Sequence, residues 1–151
     1  MAIYVWCHSH RFSLVVEGTI KFCTVMQQFF GILEEIHSFM NGHRRHGTLV
    51  EYLKKGEKDS PREKQHLGKR RLKRVSTTRW SSRHAACTTL LSCFREVIQC
   101  LDVIAKDEES SKESITQAIG LKTRMLTFDF IATLKICVTI FNVLAPTTIW
   151  L

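Results

Sequence analysis

Apolar side chains return at helical intervals from residue 80 onward, and that periodicity limits the fold more than any other feature of the chain. Trp80, Cys87, Phe94 and Leu101 repeat every seven residues, with Leu90, Leu91, Val97, Ile98 and Ile104 between them. Such a repeat lays one stripe along an α-helix, whereas a half-buried strand alternates every second residue. The pattern predicts one helix from Trp80 to Ile104, with Ser76, Thr77 or Thr78 as its N-cap. Thr19 to Met40 predicts another, because Phe22, Val25, Met26, Phe29, Leu33, Ile36, Phe39 and Met40 recur mostly at steps of three and four. Asn41-Gly42 supplies its end.

The remaining segments extend the same picture. Ile3 to Val16 closes on a short apolar run compatible with a strand. A helix is predicted from Arg44 to Lys55, stopped by Gly56. Residues 57–76 combine Gly, Pro, Ser and dense charge with little to bury, and read as a flexible basic loop. After the linker Asp107 to Ser111, Ser110 and Glu113 have capping-box spacing for a helix from Ile115 to Leu126. The last helix, Phe128 to Ala145, is apolar on nearly all sides and ends at Pro146, so it needs a core or an interface to cover it. The expectation is an all-α chain, one helical domain over residues 1–151.

Charge divides this domain unevenly. The net charge is +8, yet Asn41 to His84 holds 14 Lys or Arg against 4 acids, while the remainder carries 8 basic and 10 acidic residues. Residues 69–84 are the extreme: Lys69, Arg70, Arg71, Lys73, Arg74, Arg79 and Arg83 without one acid. A run of this kind repels itself and seeks an anionic partner, the footprint of a nucleic-acid contact. Trp80 follows directly, and an aromatic beside guanidinium groups suits stacking on a base. Two plainer readings stand beside this one. The run is a solvated loop, and Trp80, on the seven-residue stripe, is the first core residue of its helix.

Other chemistry is sparse. The six cysteines (7, 23, 87, 93, 100 and 137) lie mostly among apolar residues, where a free thiol behaves as a small hydrophobe in a reducing compartment. Cys7 and His10, with His43 and His46, have spacings adequate for a tetrahedral zinc site, although Cys-x-x-His alone is a weak signal and a hydrogen-bonded His10 is the simpler account. No group of carboxylates stands together as metal-assisted phosphoryl chemistry requires. Asp129, Lys135, Asn142 and Pro146 interrupt the apolar C-terminal stretch below the length of a membrane span, so no membrane partner is expected.

Two motifs in order carry a family resemblance. Cys7-His8-Ser9-His10-Arg11-Phe12-Ser13-Leu14, then Leu72-Lys73-Arg74-Val75-Ser76-Thr77-Thr78-Arg79-Trp80-Ser81-Ser82-Arg83, resemble the hAT family of DNA transposases. Within it, they are most similar to the host proteins of the zinc-finger-MYM-type-1-like, TTF-type group. The resemblance implies an RNase H-like core that binds two divalent metals (Mg or Mn) through Asp, Asp and Glu, split by a helical insertion domain. Cys7 and His10 match the motif opening that insertion. Arg79 and Trp80 match a pair that lies near DNA, where the Trp stacks against a displaced base. Phe12, Ser13 and Val75 depart from the family's preferred Leu, Asn and Leu. The chain is expected to start after the catalytic aspartates and stop before the glutamate, so it holds no catalytic residue and no cofactor of its own.

Together these readings predict a helical insertion-type domain that binds DNA in the nucleus, with cytoplasmic residence as the alternative. The predicted contact set is Lys69, Arg70, Arg71, Lys73, Arg74, Arg79, Trp80 and Arg83. Two other outcomes compete: a domesticated protein-interaction module that self-associates through the apolar C-terminal helix, and a relic without function.

Overall fold

The computed structural model describes residues 8–58, 71–75 and 80–145. Among them are seven α-helices and no strand, which makes the described chain all-α, as its periodicity predicts. In chain order these are α1 (His8–Phe22), α2 (Thr24–Met40), α3 (His43–Lys58), α4 (Trp80–Ser92), α5 (Phe94–Lys106), α6 (Lys112–Met125) and α7 (Phe128–Leu144).

α2 is the hub. Its buried residues Phe29, Phe30, Leu33, Ile36, Phe39 and Met40 fall on one broad face at helical spacing. Around it α1, α3, α6 and α7 all find contacts, while α5 packs on α6 and α3, and α4 packs on α7 and α1. One contiguous core results, joining the α2 face to Leu49, Leu53, Leu90, Val97, Leu101, Leu121, Met125, Phe130, Leu134 and Phe141.

Both long predicted helices are broken, each at a cysteine. At Cys23 the backbone turns extended (φ −117°, ψ 106°) between α1 and α2, and Gln27 Nε2 donates 2.7 Å to the Lys21 carbonyl. The apolar run predicted as a strand therefore continues a helix, with Val16 and Ile20, one turn apart, packed against the core. At Cys93 three donors converge on one carbonyl: the Ser92 hydroxyl at 2.8 Å, the Cys93 thiol at 3.0 Å and the Cys93 N–H at 3.3 Å all reach Thr89 O. Short polar side chains that bond back to the preceding turn compete with the helical ladder, and here the ladder yields. The seven-residue stripe survives the break, since Trp80, Cys87 and Leu101 are buried on either side of it and Phe94 is half-buried.

Ends elsewhere follow local chemistry. Asn41 closes α2 in the right-handed region, and no described glycine has a positive φ. Gly42 serves space instead: a Cβ there would meet Arg45 Nη2 at 2.7 Å. That guanidinium lies over the Phe39 ring and donates to the Phe39 carbonyl at 2.6 Å. α3 runs through Gly56, because one glycine costs a helix only about 1 kcal/mol. Ser111, not Ser110, caps α6, accepting from Ser114 N at 3.2 Å, while the Ser110 hydroxyl donates to Asp107 Oδ2 at 2.8 Å. The predicted caps of α4 (Ser76, Thr77, Thr78) lie outside the described residues.

α7 buries Phe130, Leu134, Cys137, Val138 and Phe141 and leaves a second apolar face open, with Phe128, Ile136, Ile140 and Val143 all at least half exposed. No single described helix is long and apolar enough to cross a membrane.

Candidate nucleic-acid interface

The basic run enters the described structure as a strap, residues 71–75, with neither helix nor strand pairing. The sequence predicts a flexible loop with little to bury, and within residues 71–75 that little is one leucine. Leu72 is only 9% exposed. It sits over Leu33, Ile36 and His37 of α2, beside Met40, Leu49, Ala86 and Leu90. Burying one such side chain contributes about 1.5 to 3 kcal/mol.

Polar contacts flank this plug. Arg71 Nη2 donates to Asn41 Oδ1 at 2.8 Å. Arg74 Nε donates to Glu34 Oε1 at 3.3 Å, and the Val75 N–H donates to Glu34 Oε2 at 3.1 Å. With residue 71 at position 41 and residue 74 at position 34, the strap runs antiparallel to α2. Three extended steps cover about 10 Å and seven helical residues about 10.5 Å, so the two registers match. Arg71, Lys73 and Arg74 are exposed, Arg74 with 79% of its side chain in solvent. Lys69, Arg70 and Arg79, predicted to share this surface, lie outside the described residues.

The other two predicted contacts are placed differently. Stacking on a base needs an accessible indole, but Trp80 is only 3% exposed and sits as the first core residue of its helix, the plainer of its two sequence readings. Its ring stacks with His84 (centroids 6.2 Å apart, planes 8° apart) and meets Phe141 at 6.2 Å, while His84 Nε2 lies 2.8 Å from Asn142 Oδ1. In this conformation the indole belongs to the α4–α7 seam, and a base reaches its faces only if the seam opens. Arg83, 6% exposed, is likewise no solvated cation: its guanidinium lies 5.4 Å from the Phe30 ring centre. Burial holds its pKa below the ordinary value, and Glu17 opposes that shift. The seven-residue stripe that carries Trp80 inward also carries Arg83, three residues on, toward α2.

Elsewhere in the basic segment, internal partners absorb charge. Arg44 pairs with Asp107 at 3.4 Å and Glu109 at 2.9 Å, and Arg45 turns inward. Sequence reasoning missed Glu34, the residue that holds the strap. Its only signal is an acid on the flank of the α2 stripe, next to Leu33, which many solvated positions share.

The four residues with zinc-like spacing are scattered or undescribed. His10 and His43 are exposed, and His46 is half-buried beside Arg71 and Leu72. Cys7 lies outside the described residues. Among the described residues no group of three or more His, Cys, Asp or Glu gathers as metal ligands. Among the described cysteines, burial pushes the Cys100 thiol up to about 12. A hydrogen bond with Cys137, together with burial, pushes Cys87 well above the ordinary thiol range. Thiols so placed stay protonated and unreactive. No protein-family model, curated protein or solved structure matches this chain.

Proposed function

We propose that this chain is a DNA-binding helical domain of a nuclear, hAT transposase-like or transposase-derived protein, whose metal-dependent strand chemistry is carried outside these residues. The observation that carries the reading is the strap: Arg71, Lys73 and Arg74 stand exposed on a segment fixed to α2 by a buried leucine and three hydrogen bonds. Held cations facing solvent on one side are what a phosphate backbone needs, and they position a duplex without reading its sequence. Lys69, Arg70 and Arg79 extend the same positive run in sequence. Trp80 and Arg83 then act from inside, as supports for α4. The two motifs named above support the family reading.

The test is ionic strength. If about five phosphates are neutralised, log affinity for duplex DNA falls with log salt at about −0.9 per phosphate, a slope of about −4 to −5. Replacing Lys69, Arg70, Arg71, Lys73 and Arg74 by Ala flattens that slope with little change in helicity. Binding with unchanged salt dependence places the contact elsewhere.

A second reading rests on the open face of α7. Phe128, Ile136, Ile140 and Val143 form an apolar stripe of the kind that marks protein contacts. Self-association through it makes sedimentation depend on protein concentration, and Ile136→Asp with Ile140→Asp abolishes that dependence.

A further inference from the structure

Glu34 is an acid set against the strap that carries exposed Arg71, Lys73 and Arg74. Simple electrostatics makes it a defect, because it neutralises Arg74 and repels phosphate. Its contacts indicate another role. One carboxylate oxygen takes the Nε–H of Arg74 and the other takes the backbone N–H of Val75. Both bonds use the carboxylate's own two acceptors, and neither uses the Nη edge of the guanidinium. Among the described residues no hydrogen bond engages that edge, and the side chain is 79% exposed. An arginine held by Nε presents its remaining donors as a fixed fork, the geometry that suits a phosphate. Two turns along α2, Asn41 Oδ1 anchors Arg71 through the other side of its guanidinium, accepting one Nη2 donor at 2.8 Å and leaving that group's remaining donors to an anion. Leu72, buried between these two contacts, keeps the strap from sliding along the helix.

We infer that Glu34 is a positioning residue for a nucleic-acid phosphate, with Asn41 as its counterpart, and that the acid strengthens anion binding by aiming Arg74. This rests on the DNA-binding reading and deepens it. The ligand chemistry is two phosphates of one backbone, met by guanidinium groups whose anchors on α2 are about 10.5 Å apart. Preorganisation of this kind spares the ordering of a long side chain on binding, which is worth about three- to ten-fold in affinity per residue held.

The experiment compares the 151-residue wild-type chain, Glu34→Ala and Glu34→Gln for binding to a short duplex DNA of mixed sequence across a salt series. Ala is a good helix former and Glu34 is partly exposed, so α2 persists in every variant, as circular dichroism checks. The expected result is that Glu34→Ala binds about three- to ten-fold more weakly, although it gains a net positive charge, with the salt slope unchanged. Glu34→Gln, which keeps one acceptor oxygen, recovers part of the loss. If wild type binds but Glu34→Ala binds equally or more tightly, Glu34 is only a neutralising neighbour; the positioning role is overturned and the DNA reading stands. If wild type does not bind at any salt concentration, the DNA reading falls and takes this inference with it.

Discussion

At Trp80 an indole with 3% of its surface exposed fills the angle between α4 and α7. Trp80→Ala should cost roughly 3 to 5 kcal/mol, measured as a lower denaturant midpoint, because a cavity of that size cannot collapse fully. A stability change of a few tenths would return the residue to the surface. The thiols make a second test at this scale. Native alkylation should reach half-exposed Cys23 readily and leave Cys87, Cys93, Cys100 and Cys137 intact until unfolding, as peptide mass mapping would show. Acid titration gives a third. Lys122 holds the Asp102 carboxyl below the usual range, and the Ser110 hydroxyl with the Glu109 N–H does so at Asp107. A lowered folded pKa contributes stability above the unfolded value of about 3.9, and that contribution is lost as pH falls through the folded one. Melting temperature should therefore drop below about pH 4, and less steeply in an Asp102→Asn, Asp107→Asn variant.

Among the elements, Ser111 fixes where α6 begins, through its bond from Ser114 N. Ser111→Ala should lower stability by about 1 kcal/mol in chemical denaturation. If it has no effect, the first turn is held by something else. Helix existence was legible in the sequence because burial of a stripe demands a period, and the period stands in the residue order. The breaks were not legible. Cys23 and Cys93 carry no breaker signal, and the geometry at Thr89 O depends on three donors meeting at one atom, which spacing alone does not reveal. Ser110 and Ser111 are both adequate caps, and Asp107 decides between them by engaging Ser110. The candidate interface was half legible for the same reason. Arg71, Lys73 and Arg74 are visible as charge, but Arg83 is equally charged and turns inward, because Phe30 and the α4 stripe outweigh its formal sign.

Over the whole molecule, α2 does two jobs with two faces. Its apolar side joins the core, and the Glu34–His37–Asn41 edge carries the strap. These attachments differ greatly in strength. The fully buried core draws on every described helix except α1, whose Val16 and Ile20 pack against it, whereas the strap hangs on buried Leu72, half-buried Val75 and three hydrogen bonds. If Leu72 at about 1.5 to 3 kcal/mol dominates this attachment, the strap should be released in roughly one molecule in ten to one in a hundred while the helices stay folded. The Val75 amide should accordingly exchange with deuterium only about ten- to a hundred-fold more slowly than in an unfolded peptide, far faster than the core amides of α2. Detachment without unfolding gives the cationic segment two populations, one aimed and one freely searching. An anion that prefers the aimed form gains affinity from every contact that raises its share of molecules.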